Sequence, residues 1–138
     1  MYNVLMKTVE AKGRQTKYCL QIEEIVKQMG HASNAEILAA LHVVYPDVSA
    51  TTVHRATSRL AGRGELAIAP SDLSGSMRYD ANLHPHDHFL CSHCGILRDV
   101  DVAEHIKPLL EDAIEGCSIS GRVTISGTCK QCKQKGII

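Results

Sequence analysis

The stretch "HPHDHFLCSHCG", residues 84–95, places three histidines, an aspartate and a Cys-x-x-Cys pair within twelve positions. His84, His86 and His88 alternate, as side chains on one face of an extended segment do. His86 and His88 therefore lie within reach of a single ion, and three residues later the chain arrives at Cys91. Cys91 and Cys94 are answered by Cys129 and Cys132 in "CKQC", with 34 residues between the two pairs. That gap is too long for a one-piece zinc ribbon, so separate elements must supply the pairs. Four thiolates suit tetrahedral Zn²⁺, and a four-cysteine cage leaves no open position, which points to structural zinc. Two redox-active pairs are the alternative, but no thioredoxin-like βαβ pattern surrounds either.

The same stretch marks where helical periodicity stops, so it also divides the 138-residue chain. The content of 44% hydrophobic residues is enough for a packed core in one domain or two very small ones. No run of eighteen apolar residues occurs, and the N-terminal stretch carries Lys7, Glu10 and Lys12 where a signal peptide is apolar. We therefore expect a cytoplasmic protein without a membrane partner, where cysteines favour metal over disulfides. Formal net charge is zero and stays near zero on both sides of Asp80, so bulk charge names no polyanionic partner. Local charge does: Val48 to Gly64 contains no acidic residue, while Arg55, Arg59 and Arg63 recur every fourth position. On a helix they form one basic stripe.

Upstream, "LQIEEIVKQMG" has helical apolar spacing and stops at Gly30. Ser33 or Asn34 then caps "AEILAALHVVY", whose Ile37, Leu38, Leu41, Val44 and Tyr45 are expected to make a buried face before "YPD" breaks it. Ser49 caps a third helix, "ATTVHRATSRLAGRG", with Val53, Ala56 and Leu60 inward and Gly62 or Gly64 at its end. Two helices around a short turn, the second basic on its outer face, read as a helix-turn-helix. "ELAIAP", the turn "SDLSGS" and "MRYDA" supply the hairpin of a winged helix. Thr51, Thr52, His54, Arg55, Ser58 and Arg59 are its candidate DNA contacts, the arginines toward guanine edges or phosphates and the hydroxyls toward phosphates.

Downstream, "ILRDV" pairs as the next strand, and "DVAEHIKPLLEDAIEG" opens with an expected Asp101–Glu104 capping box. Pro108 should kink this helix or delay its start to near Lys107. "SISGRVTIS" reads as a half-buried strand with Ile119, Val123 and Ile125 inward, delivering the chain to "CKQC". Cys19 and Cys117 read as small buried residues, and His42, His84, His93 and His105 as bystanders.

Several pieces, "GRQT", "HASNAEILAAL", "VSATTVHRATSRL", "RYD", "HPHDHFLCSHCG", "RDV" and the final Cys-x-x-Cys, together resemble the ferric uptake regulator (Fur) family of bacterial metal-dependent repressors nearly end to end. The resemblance implies an α+β protein. A winged-helix DNA-binding domain would span 1–82, and a small α/β dimerisation and metal-binding domain with structural zinc would span 83–138. It implies a homodimer on double-stranded operator DNA, not an enzyme, with Arg14 near the DNA backbone. It also implies a regulatory metal, Fe²⁺ or Mn²⁺, held by His31, Asp80, His86, His88 and Asp99. Imidazoles with carboxylates are a harder set than four thiolates and suit those ions better than zinc, though they do not exclude it.

Where iron-uptake regulators generally carry glutamates, this chain has Asp80 and Asp99, as the peroxide-responsive PerR branch does. In that branch bound Fe²⁺ reacts with hydrogen peroxide and a ligand histidine is oxidised, here His86 or His31. The alternative is an iron or manganese uptake regulator without peroxide chemistry. A further family site looks unfilled, since Pro85 and Gly121 stand where histidines are usual. The chain also departs from the family at His54, where tyrosine is usual, and at Lys17, Tyr18 and Cys19. A zinc hydrolase using His86 and His88 is the reading from another class, and it leaves the helix-turn-helix and the arginine stripe unexplained.

Overall fold

The computed structural model describes residues 14–136 and divides the chain into two compact units between Leu83 and His84. The first is a winged helix. Helix α1 (Arg14–Met29) is longer than the expected "LQIEEIVKQMG" and ends at Gly30, whose φ of +84° is left-handed and whose N–H reaches Val26 O at 2.8 Å. Strand β1 (His31–Ser33) follows, and Ser33 at once caps α2 (Asn34–Leu41). The cap is reciprocal: Glu36 N–H donates to Ser33 Oγ at 3.3 Å, and Ser33 N–H donates to Glu36 Oε1 at 3.0 Å.

Helix α2 stops at Leu41 instead of running to Tyr45, which corrects the expected buried face: Val44 is exposed. His42 turns the chain, its Nε2 donating to Val48 O at 2.9 Å, and Ser49 then caps α3 (Ala50–Gly62) by accepting from Thr52 N–H at 3.1 Å. Ile22, Val26, Ile37, Leu41, Val53, Leu60 and Tyr79 share the core between these helices and the sheet. The sheet is three-stranded and antiparallel in the order β1-β3-β2, with β2 (Ala67–Ala69) and β3 (Arg78–Asp80) forming the wing hairpin. In the wing turn Asp72 Oδ1 accepts from the N–H groups of Ser74 and Ser76 and from Ser74 Oγ, which holds its carboxyl below the ordinary range.

The second unit has a three-stranded sheet in the order β5-β4-β6. β4 (Asp87–Cys91) pairs antiparallel with β5 (Leu97–Val100) and parallel with β6 (Thr124–Gly127), so a crossover through α4 (Ala103–Ala113) joins the strands. Four expectations are corrected here. Helix α4 begins at Ala103, not near Lys107, and includes Pro108. Its N-cap is Val102 with no side-chain cap, so the Asp101–Glu104 box does not form. The Val102 N–H donates to buried Asp87 Oδ2 at 3.3 Å. The final strand is four residues long, and Ile125 is exposed while Ile119 and Val123 are half-buried. The terminal "CKQC" is a short helix, α5 (Lys130–Gln134), capped by Cys129. Of the four buried apolar residues described in this unit, Cys91, Leu97, Cys129 and Cys132, three are cysteines, so the cysteine cluster is the core. Cys19 is buried as expected, whereas Cys117 is exposed.

Candidate metal centres

The four paired cysteines meet inside the second unit. Cys91 ends β4, Cys94 closes the turn toward β5 with Gly95 at φ +79°, and Cys129 and Cys132 flank the first turn of α5. Sγ atoms lie 3.8 Å apart for Cys91 and Cys132 and 3.7 Å apart for Cys94 and Cys129, and all four lie within 4.8 Å of one another. A tetrahedron with Zn–S bonds of about 2.3 Å has edges of about 3.8 Å, so the cluster has the size of a zinc cage. Backbone donors are placed for thiolates: Cys91 Sγ accepts from the N–H groups of His93, Cys94 and Cys129, and Cys129 Sγ accepts from that of Cys132. The Cys94 N–H above all holds the Cys91 thiol down at about 5, against the opposing effect of burial. Burial, followed by hydrogen bonds to the neighbouring sulfurs, pushes Cys132 up to about 12. Zinc binds the thiolate form, so a thiol whose proton burial retains gives it up when the cage fills.

In the same unit His86, His88 and Asp99 form a harder ligand set. His88 is buried on β4 opposite Asp99 on β5, and His86 directly precedes the strand. The two rings are 4.5 Å apart between centroids, and both Nε2 atoms approach one carboxylate oxygen, Asp99 Oδ1, at 3.2 Å from His86 and 3.5 Å from His88. His86 Nδ1 lies 2.6 Å from His84 O, and because a carbonyl only accepts, the ring proton sits on Nδ1. In the neutral ring Nε2 then offers a lone pair toward a carboxylate oxygen. Two electron-rich atoms at 3.2 Å fit a cation between them, and a backbone carbonyl fixing the far ring nitrogen is how metal-ligating histidines are oriented. His84 thus contributes its carbonyl, a role its side chain did not announce.

In the first unit His31 on β1 and Asp80 on β3 are register partners, with His31 Nε2 3.3 Å from Asp80 Oδ2 and Asp80 Oδ1 accepting from Asn82 N–H at 2.8 Å. Asp80 is buried and His31 half-buried, which leaves an imidazole and a carboxylate held in fixed positions. At the position between the two strand histidines, Asp87 is buried with Oδ1 on Val123 N–H at 2.9 Å. Its carboxylate serves the backbone where the neighbouring Pro85 and Gly121 supply no ligands.

On α3, Thr51, His54, Arg55, Ser58 and Arg59 are exposed, and Thr52 is half-buried with its hydroxyl 3.0 Å from Ser49 Oγ. Val53, Ala56, Thr57 and Leu60 face inward, so the exposed set lies opposite the core, as a recognition helix requires. Arg14 is the first residue of α1, and its side chain lies outside the described residues. Arg78 is buried, with Nε donating to Pro70 O at 3.1 Å and Nη2 to Ser71 O at 3.2 Å, so it shapes the wing. No described helix is long and apolar enough to cross a membrane.

Against known proteins, the ferric uptake regulator family model matches residues 10–120. The peroxide-responsive repressor PerR of Staphylococcus epidermidis is 27% identical over 117 residues, covering 81% of this chain and 75% of its own. Among solved structures, the ferric uptake regulator Fur of Helicobacter pylori superposes with a TM-score of 0.72 at 20% identity, over 95% of this chain and 89% of that one. The peroxide stress regulator of Campylobacter jejuni superposes with a TM-score of 0.67 at 23% identity, over 96% and 98%. Both share the fold.

Proposed function

Because the chain belongs to the ferric uptake regulator family of metal-responsive transcriptional regulators, we propose that it is a cytoplasmic, homodimeric repressor of operator DNA that senses peroxide by oxidation of a ligand histidine. The observation that carries the reading is the pair of Nε2 atoms, from His86 and His88, converging on Asp99 Oδ1. His31 and Asp80 would complete the set from the first unit, alongside the structural zinc of Cys91, Cys94, Cys129 and Cys132. Bound Fe²⁺ would supply the electron that activates peroxide next to these rings. Support for that branch comes from aspartate at both carboxylate positions and from the PerR relative at 27% identity.

Within this reading each residue has a separable task. The carbonyl of His84 keeps His86 Nε2 facing the ion, and β4 carries His88 at a fixed position two residues on. Ligands from both units on one ion would favour a single arrangement of the two recognition helices. Moving an open-to-closed ratio from 1:99 to 99:1 takes about 5.5 kcal/mol of preference, within reach of several metal bonds. Arg55 and Arg59 would meet guanine edges or phosphates, Thr51, Thr52 and Ser58 phosphates, and Arg14 the backbone. Oxidising His86 or His31 would remove a ligand and end the preference.

The test loads the zinc-replete chain anaerobically with Fe²⁺ or Mn²⁺, adds low peroxide, and follows binding to a duplex selected from a random pool, with peptide masses. The iron form should release DNA and gain an oxygen atom on the peptide holding His86 or His31, while the manganese form should do neither. An iron form that keeps its DNA and its peptide masses refutes peroxide sensing and leaves control by metal sufficiency.

A further inference from the structure

The metal chemistry makes no use of a relay of hydrogen bonds on the inner flank of the recognition helix. Asn34, the first residue of α2, is half-buried, and its Oδ1 accepts from Thr57 Oγ1 at 2.8 Å. Thr57 is fully buried, and Asn34 Oδ1 is the nearest of three acceptors around its hydroxyl, the others being Val53 O at 3.1 Å and His54 O at 3.2 Å. The Asn34 NH₂ then faces His54, with Nδ2 3.3 Å from Nδ1 of the ring. An amide nitrogen only donates, so with the amide in this orientation Nδ1 accepts and the proton of a neutral ring belongs on Nε2.

We infer that Asn34 and Thr57 preset His54 as a hydrogen-bond donor, and that its Nε2–H selects guanine at one position of each DNA half-site. His54 is exposed and lies on the same flank of α3 as exposed Thr51 and Ser58, three and four residues away. In the major groove guanine offers two adjacent acceptors, N7 and O6, whereas adenine pairs one acceptor with a donor, thymine sets a single acceptor beside its methyl group, and cytosine presents a donor. A lone donor at a base edge is met by guanine across the widest range of positions. Asn34 and Thr57 are positioning residues and His54 the reader. The inference rests on α3 entering DNA, as proposed above.

The tautomer is read directly by two-bond ¹H–¹⁵N correlation spectra of the full-length, zinc-replete chain. Wild-type His54 should carry its proton on Nε2, and Asn34→Asp, which offers oxygens to both Thr57 and the ring, should move it to Nδ1. A wild-type ring with the proton on Nδ1 overturns the inference. Binding is then measured with the Mn²⁺-loaded chain on the selected duplex and on one with the guanine changed to adenine. Wild-type should lose about fivefold per half-site, the worth of one hydrogen bond. His54→Ala should bind both duplexes alike, and Asn34→Asp should lose the guanine preference while its spectra stay those of a folded protein. If His54→Ala still prefers guanine equally, this inference fails and DNA binding stands. If wild-type selects no duplex under any metal loading, the repressor reading itself fails.

Discussion

Asp87 offers the sharpest test of how the second unit is held together. It opens β4, is buried, and its two oxygens take N–H groups from two other elements: Val123 at 2.9 Å, just before β6, and Val102 at 3.3 Å, the N-cap of α4. Asp87→Ala leaves both donors without this acceptor. Hydrogen bonds to a charged group contribute about 1.5–3 kcal/mol, and the longer one belongs at or below that range, so the loss should be about 3 kcal/mol. Asp87→Asn keeps one acceptor oxygen and should lose about half of that. Because Asp87 and His88 alternate across the strand, the loss should also loosen the strand that carries His88 and weaken Mn²⁺ binding. The assay is urea unfolding of the zinc-loaded chain by circular dichroism, with hydrogen exchange at the Val102 and Val123 amides. A stability change under about 0.5 kcal/mol, within the range of an ordinary surface substitution, with both amides still protected, would refute the reasoning.

Removing zinc with a strong chelator, or replacing Cys132 with Ser, should unfold the second unit while α1, α2 and α3 keep their helicity. Structural zinc contributes about 10–16 kcal/mol in small peptides, and this unit's core is otherwise thin; a chelated protein with an intact second unit by hydrogen exchange would contradict the assignment. Alkylation should separate the two unpaired cysteines, with exposed Cys117 modified rapidly at pH 8 and buried Cys19 spared. Burial raises the Cys19 thiol above its ordinary 9.0, against Arg63 and Arg59. Its contribution to stability is therefore complete below pH 9 and is lost as pH rises through the raised value. Rapid labelling of Cys19 in the folded chain would contradict its burial.

What the sequence made legible were features written in local chemistry. Caps at Ser33 and Ser49, the glycine at 30, the wing turn around Asp72 and each Cys-x-x-Cys pair by itself act within a few residues. What it hid depends on partners far along the chain. Strand β1 is three residues with no alternation to detect, and it exists because β3 pairs with it from residues 78–80. The expected cap at Asp101 gives way to a helix start at Val102 that no side chain caps, and Val102 N–H is held by Asp87, fifteen residues earlier. The long alternating strand at "SISGRVTIS" shortens because only its last part meets β4. The pairing of Asn34 with His54 spans twenty residues and leaves no pattern at all.

The arrangement of β4 explains why one strand can serve both a permanent and a labile ion. Its last residue, Cys91, is fixed in the thiolate cage. Its centre is bonded on both edges, to β5 and to β6, and Asp87 ties its first residue to the starts of α4 and β6. A strand held at its end, its edges and its beginning cannot slide, so His88 and the adjoining His86 are presented at fixed positions whether or not an ion is bound beside them. Asp99, by contrast, is half exposed on the edge strand β5. Under the proposed reading, the regulatory ion could leave without loss of the fold, because His86 and His88 lie toward the start of β4 whereas Cys91, its end, belongs to the thiolate cage.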